Sequence, residues 1–154
     1  MKVKAATIDD VKDLYETMIL AYKEYIHIPA SSSALDETIE SITEKLKNGE
    51  EALVVYDHEK AIGSVRYVIE DDALFFERLS VIPEYRGKGV ARLLLHTLEE
   101  ITRSKGYHTI RCKVRMSLTK NMNMYQAFGY TQYGQTIFPL RGIQIDVAKM
   151  EKRL

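Results

Sequence analysis

The sequence predicts a mixed α/β fold, a central sheet of about seven strands packed by about four helices, in one domain over residues 1–154. Three observations carry this reading. Strand-like and helix-like segments follow in mixed order: strand, two helices, three-strand meander, helix, strand, helix, two strands. Such an order calls for a sheet covered on its faces by helices. The segments around 74–81 and 107–114 flank one long helix, which makes them parallel neighbours joined by a right-handed crossover. Apolar residues make up 45% of the 154 and charged residues 29%, enough for one core and typical of a globular chain.

Each element has a local reason. Residues 2–6 alternate in character and read as a strand. Thr7 follows as a helix cap, with Asp9 and Asp10 in the first turn, where acids complement the helix dipole. Val11, Leu14, Tyr15, Met18, Tyr22 and Ile26 repeat at helical spacing as far as Pro29. After Ser31-Ser32-Ser33, the stripe Leu35, Ile39, Ile42 and Leu46 predicts a second amphipathic helix, stopped by Asn48-Gly49. Ala52 to Tyr56, Ile62 to Ile69 and Leu74 to Val81 are apolar runs separated by Asp57-His58-Glu59-Lys60 and Glu70-Asp71-Asp72, an antiparallel meander. Val90, Leu93, Leu94, Leu98 and Ile101 stripe a helix from about Gly87 to Ser104, closed by Lys105-Gly106. Tyr107 to Val114 is a strand and Thr119 to Phe128 a short helix closed by Gly129. Tyr130 to Phe138 and Arg141 to Met150 are two strands around Pro139. Pro29, Pro83 and Pro139 are each expected where an element ends.

Charge and composition exclude several functions. Lys plus Arg and Asp plus Glu are 22 each, so there is no basic excess and no nucleic-acid partner is expected. No apolar run reaches the ~20 residues of a membrane helix, and the amino terminus lacks the apolar stretch of a signal peptide. The single cysteine, Cys112, excludes an internal disulfide and a multi-cysteine zinc site. His27, His58, His96 and His108 are scattered without ligand spacing, so no metal is expected. The protein is therefore expected in the cytoplasm, without a membrane partner; association into a homodimer is left open.

The chemistry concentrates in the segment Leu79 to Ala91. A strand ends there, and a turn containing Gly87 and Gly89 opens a helix. Glycines let a ligand approach the backbone, and first-turn amides with the helix dipole favour an anion. Arg86, Lys88 and Arg92 add positive charge, so a phosphate or pyrophosphate is the natural guest. A Walker loop is absent. A Rossmann fingerprint fails because Arg92 stands at its third glycine and the strand Ile110 to Val114 carries no acid. The arrangement left is Arg-x-x-Gly-x-Ala, at Arg86, Gly89 and Ala91.

Val81-Ile82-Pro83-Glu84-Tyr85-Arg86-Gly87-Lys88-Gly89-Val90-Ala91 resembles the acyl-CoA signature of the GNAT superfamily of N-acyltransferases. Asn121-Met122-Asn123-Met124-Tyr125-Gln126-Ala127-Phe128-Gly129-Tyr130 is similar to that family's Asn-x-x-x-Tyr-x-x-x-Gly-Phe segment, with Tyr130 in place of Phe. The two motifs stand in the family's order. The resemblance implies a GNAT-type sheet with splayed parallel strands, and acetyl-CoA as co-substrate. It implies cofactor contacts from the backbone of Leu79, Ser80 and Val81, from Arg86, Gly87, Lys88, Gly89, Val90, Ala91 and Arg92, and from Asn121. The acetyl group would pass directly to a primary amine, without an acyl-enzyme. Tyr125 would be the general acid. Its other reading is a core tyrosine between Met122 and Phe128.

Glu77 is a carboxylate in the otherwise apolar run Phe75 to Val81. It is either a solvated edge residue or the general base that removes the amine's proton. Cys112 reads as a small buried strand residue and the methionines from Met116 to Met124 as plastic packing. His27 could line the acceptor pocket or simply sit in a loop. Tyr22, Tyr25, Tyr133 and Phe138 could give an aromatic acceptor pocket or belong to the core. The rival function is a non-catalytic acyl-CoA-binding module, which would need neither Glu77 nor Tyr125.

Overall fold

Seven strands, β1 (Lys2–Ala5), β2 (Glu51–Asp57), β3 (Lys60–Glu70), β4 (Ala73–Val81), β5 (Thr109–Arg115), β6 (Thr131–Leu140) and β7 (Ile143–Arg153), form one sheet in the order β1-β2-β3-β4-β5-β7-β6. Four α-helices accompany it: α1 (Val11–Tyr22), α2 (Ile39–Lys47), α3 (Val90–Ser104) and α4 (Thr119–Ala127). The structure is a computed structural model describing residues 1–154. The mixed α/β class is the one the sequence predicts. No helix is long and apolar enough to cross a membrane. The backbone divides into two compact units, Met1–Val68 with Phe76–Leu98, and Ile69–Phe75 with Glu99–Leu154.

In the first unit, β1 and β2 pair antiparallel from Lys2↔Tyr56 to Ala5↔Leu53, and β2 and β3 pair antiparallel from Glu51↔Tyr67 to Asp57↔Lys60. Val11, Leu14 and Met18 of α1 and Ile42 of α2 pack with Ala34, Ala52 and Val54 into a core cluster. The stripe that begins at Leu35 does not make one helix. Leu35 lies in a 3₁₀ turn, Ser33–Asp36, and α2 starts afresh at Ile39. Thr38 sets that start: its hydroxyl accepts from the Ser41 amide at 3.0 Å while the Ser41 hydroxyl accepts from the Thr38 amide at 2.9 Å. Similarly, α1 tightens into a 3₁₀ turn at Lys23–Tyr25, so Ile26 leaves the stripe and stands 55% exposed.

Gly63 on β3 lies where α3 and β4 meet it. A Cβ there would stand 2.7 Å from Val90 Cγ1 and 2.9 Å from the Ser80 carbonyl oxygen. A backbone oxygen cannot step aside, so Gly63→Ala should destabilise by about 1–3 kcal/mol and lower the melting temperature by several degrees. Thermal unfolding followed by circular dichroism measures this; an unchanged Tm would mean that β3 and β4 part without strain.

In the second unit, the start of β4 pairs in parallel with β5 at Leu74↔Ile110 and Phe75↔Arg111, as a strand–helix–strand segment demands. β5 and β7 run antiparallel from Thr109↔Arg153 to Arg115↔Val147. β6 closes the edge beside β7, and the hairpin turns at Arg141-Gly142, both with positive φ (51° and 76°), the geometry that suits a two-residue hairpin loop. Pro139 corrects an expectation. It does not end a strand but lies inside β6, opposite Gln144. An edge strand leaves alternate amides unpaired, so a missing N–H is tolerated there. Leu74, Ile110, Cys112, Val114, Tyr130, Ala148 and Met150 form the buried interior of this unit.

Candidate active site

Within the first unit, the strand, turn and helix singled out in the sequence are contiguous. Halfway along β4, Arg78 takes φ 57°, a left-handed conformation that costs a non-glycine residue about 1–3 kcal/mol. Its side chain is held in place: Nε donates to Glu37 Oε2 at 2.7 Å and Nη2 to Ser33 Oγ at 3.1 Å. Around this kink, the Glu77 side chain is 47% exposed, while Ser80 is fully buried, its hydroxyl donating to the Arg78 carbonyl at 2.9 Å. The Leu79 carbonyl accepts from the Tyr22 hydroxyl at 3.3 Å, and the Val81 carbonyl from Arg86 Nε at 3.4 Å. Burial pushes the Tyr22 hydroxyl up to about 12, so it remains a donor at neutral pH.

After β4 comes a 3₁₀ turn, Pro83–Tyr85, and then Gly87 and Gly89 with φ 74° and 86°. The helix therefore begins at Val90, where the apolar stripe begins and three residues after the expected start at about Gly87, because both glycines hold the left-handed conformation that L side chains avoid. A Cβ at either glycine would meet nothing within 4 Å, so the turn presents bare backbone to open space. The first helical bond runs from the Leu93 amide to the Gly89 carbonyl at 3.0 Å, and the amides of the first turn have no acceptor in the helix. Lys88 is exposed, with its ammonium 5.1 Å from the centre of the Tyr85 ring. Val90 is buried, Ala91 half-buried and Arg92 exposed. Arg86 is committed elsewhere: Nη1 pairs with Glu24 at 2.9 Å and Nη2 donates to the Ala21 carbonyl at 2.9 Å. It ties the turn to the end of α1.

Beside Glu77 lies an ion-pair network that sequence reasoning missed. Arg66 on β3, its side chain 3% exposed, places Nη2 at 2.6 Å from Glu37 Oε1 and 3.6 Å from Glu77 Oε1, with Nε 2.8 Å from Glu50 Oε1. Lys45 Nζ stands 2.9 Å from Glu37 and 3.9 Å from Glu77. Glu37 thus meets three cations. Burial opposes its ionisation, but Arg66, Arg78 and Lys45 outweigh it and hold the carboxyl down at about 2. Glu50 meets fewer. Burial, with the neighbouring Glu77 adding to it against the pull of Arg66, pushes Glu50 up to about 7. The available signal was Arg66 itself, a lone guanidinium in the apolar run Ile62 to Ile69.

In the second unit, Asn121 and Tyr125 sit one turn apart on α4, on the same helical face. Tyr125 is 9% exposed, and its ring meets that of Tyr130 edge-on at 5.7 Å. Its carbonyl accepts from the Tyr130 amide at 2.9 Å, which fixes the end of α4. Cys112 is buried and burial pushes its thiol up to about 12, so it is no nucleophile at neutral pH. The four aromatic residues do not share one environment. Tyr22 and Tyr25 meet edge-on at 5.8 Å in the first unit. In the second, Tyr133 lies under Arg111 and Lys149 (5.1 and 5.2 Å), and Phe138 stands 48% exposed on β6. His27 is an exposed loop residue.

Comparison with known proteins places these features in a family. Residues 12–130 match the sequence profile of the Acetyltransferase (GNAT) family. Human N-acetyltransferase 8B is 29% identical over 100 residues, which cover 61% of this chain and 44% of that protein. The uncharacterized N-acetyltransferase YjcF of Bacillus subtilis strain 168 is 28% identical over 141 residues, 92% of each chain. The solved structure of yncA from Salmonella typhimurium, with its cofactor acetyl-CoA, superposes with a TM-score of 0.78 at 18% identity, covering 100% of this chain and 94% of the other. The chain spans about half the length of the human relatives it matches, 44% and 53%.

Proposed function

Because the chain belongs to the acetyltransferase (GNAT) family, we propose that it moves an acetyl group from acetyl-CoA directly to a primary amine. The observation that carries this reading is the bare turn at Gly87 and Gly89 ahead of α3. Two left-handed glycines, open space above them and first-turn amides suit a pyrophosphate group. Lys88 and Arg92 add exposed positive charge, and Arg86 holds the turn by its links to Glu24 and Ala21. Leu79, Ser80 and Val81 offer their backbone to the pantetheine arm, Val90 and Ala91 continue the cradle, and Asn121 is a further contact. The cofactor supplies an activated acetyl thioester. The lone buried thiol suits a reducing compartment such as the cytoplasm.

Two side chains carry the proton transfers in this reading. A lysine-like amine is an ammonium ion at neutral pH, with a pKa of ~10.4, and cannot attack until it loses a proton. The half-exposed Glu77 takes that proton. The amine nitrogen then bonds the acetyl carbon, the carbon–sulfur bond breaks as Tyr125 gives its proton to the departing sulfur, and the second proton lost by the nitrogen returns through solvent to the tyrosine oxygen, while Glu77 releases the first to water. No acyl-enzyme is needed, which agrees with the inert Cys112.

The test is a thiol-release assay with acetyl-CoA and three acceptors, spermidine, an alanine-ended peptide and a lysine-containing peptide, with products identified by mass spectrometry. Acetylation at nitrogen is expected; CoA binding with no product from any amine class would leave a binding module instead. The cradle is tested separately. Gly89→Val puts a branched side chain into the anion's approach and a strained φ into the turn. CoA affinity should fall at least about tenfold, ~1.4 kcal/mol, in calorimetric titration of a folded variant. Unchanged affinity removes the turn from the site.

A further inference from the structure

We infer that Asp57, in the turn between β2 and β3, is a positioning residue for the cofactor: through the Tyr85 hydroxyl it fixes the aromatic ring that carries the Lys88 ammonium beside Gly87 and Gly89. This rests on the reading of that turn as the CoA cradle. Left-handed glycines give a turn much conformational freedom, whereas an anion site gains affinity when its donors are ordered before the ligand arrives. Contacts from outside the turn must supply that order. On one side Arg86 ties it to Glu24 and to the Ala21 carbonyl at the end of α1. On the other, the Ile82 amide donates to the Ile62 carbonyl at 3.0 Å and the Tyr85 hydroxyl donates to Asp57 Oδ2 at 2.6 Å.

The second tie is a hydrogen bond to a carboxylate, which is shorter and stronger than one between neutral groups. Asp57 is placed for it by the hairpin. It pairs with Lys60 across the turn, where His58 takes φ 53°. The Tyr85 ring that this bond fixes has two ammonium groups against it, Lys88 Nζ at 5.1 Å and Lys60 Nζ at 5.6 Å from its centre. A cation is attracted to an aromatic face, so the ring gives each lysine a preferred place. Lys60 is engaged by Glu84 at 3.3 Å, which leaves Lys88 to meet a ligand's anion. The order passes from carboxylate to hydroxyl, from hydroxyl to ring and from ring to ammonium. A lysine already held loses less side-chain freedom when a pyrophosphate binds, and that saving appears as affinity. Asp57 touches no ligand in this scheme. Its effect is confined to the part of the cofactor that carries phosphate.

The direct test is calorimetric titration of CoA into the whole chain. Tyr85→Phe keeps the ring and removes the hydroxyl, and should weaken CoA binding by about three- to tenfold. Asp57→Ala should do the same. The two together should cost no more than either alone, because they break one bond. Asp57→Asn keeps an oxygen that can accept from the hydroxyl and should restore most of the affinity. Lys88→Met should weaken binding in the parent and by less in Tyr85→Phe, where the ring is no longer fixed. The second readout is kinetic. With acetyl-CoA and spermidine or the alanine-ended peptide, whichever releases thiol faster, Tyr85→Phe should raise KM for acetyl-CoA and keep kcat. S-acetylpantetheine has the thioester and the arm but no pyrophosphate, and its kcat/KM should stay at the parental value. Parental CoA affinity in Tyr85→Phe, additive losses in the double variant, or an equal loss with S-acetylpantetheine overturns the inference. If Gly89→Val also binds CoA at the parental affinity, the cradle reading fails and this inference with it. If Gly89→Val weakens binding while Tyr85→Phe does not, the cradle stands and Asp57 has no such role. Tyr85→Phe and Lys88→Met decide the matter even if Asp57→Ala does not fold.

Discussion

Tyr125→Phe should lower kcat by roughly 10- to 1,000-fold and leave CoA affinity close to that of the parent. The substitution removes one oxygen and keeps the ring that packs edge-on against Tyr130 at 5.7 Å, so the variant should fold. The size of the effect follows from the leaving group. A thiol has a pKa of ~8.5, so the thiolate can leave unaided and the acid accelerates the step without being indispensable. Tyrosine suits the task because it keeps its proton at neutral pH until the sulfur develops charge. Single-turnover kinetics with acetyl-CoA in excess isolate the chemical step. A parental rate would return Tyr125 to a packing role. An equal loss of CoA binding and of rate would instead make it a residue that places the cofactor.

For Glu77→Gln, the expected result is a fall of about 100-fold in kcat below the acceptor's own pKa, with partial recovery at high pH, where the amine is already neutral. Shape is preserved. The ion pairs lost are the long ones, 3.6 Å to Arg66 and 3.9 Å to Lys45, so stability should change little. Solvent would then be the base, and the rate should follow the free-amine concentration. A pH–rate profile identical to the parent's would assign proton removal to bulk water in the parent as well. Glu37→Gln makes a useful contrast. Arg66 would lose its closest carboxylate while 3% exposed, and breaking such a buried pair costs about 3–5 kcal/mol, so that variant should show a falling Tm.

Where local chemistry decides, the sequence was readable. The glycine turn was visible because Gly87-Lys88-Gly89 follows an apolar strand, and the meander because Asp57-His58 and Glu70-Asp71-Asp72 can adopt turn backbones; His58, Asp71 and Asp72 do have positive φ. Glu77 stood out as a charge in an apolar run. Arg66 is just as lone a charge in its own apolar run but was passed over, because its partners come from residues 37, 50 and 77 and are assembled by the β2–β3 register, which sets Ala52 opposite Arg66, and by the kink at Arg78. Neither is encoded within a few residues of Arg66. Pro139 failed for a related reason. A proline's effect on a strand depends on whether that strand is an edge, a property of the whole sheet order. The break between Leu35 and Ile39 was misread because an apolar stripe at helical spacing continues across a 3₁₀ turn and a fresh cap at Thr38.

The burial of Cys112 also turns the chain into its own opening gauge. A thiol-specific reagent needs both access and a thiolate, and in the folded state this side chain offers neither. Labelling can proceed only through excursions in which β5 is exposed to solvent. With fast labelling its rate measures how often the strand opens; with slow labelling it measures how much of the population is open. Because the chain has one cysteine, the signal comes from a single known place on β5, opposite Met150 of the neighbouring strand β7. Run with and without CoA, the same reagent would report whether ligand at the Gly87–Gly89 turn slows breathing in a strand far along the chain, with no probe introduced.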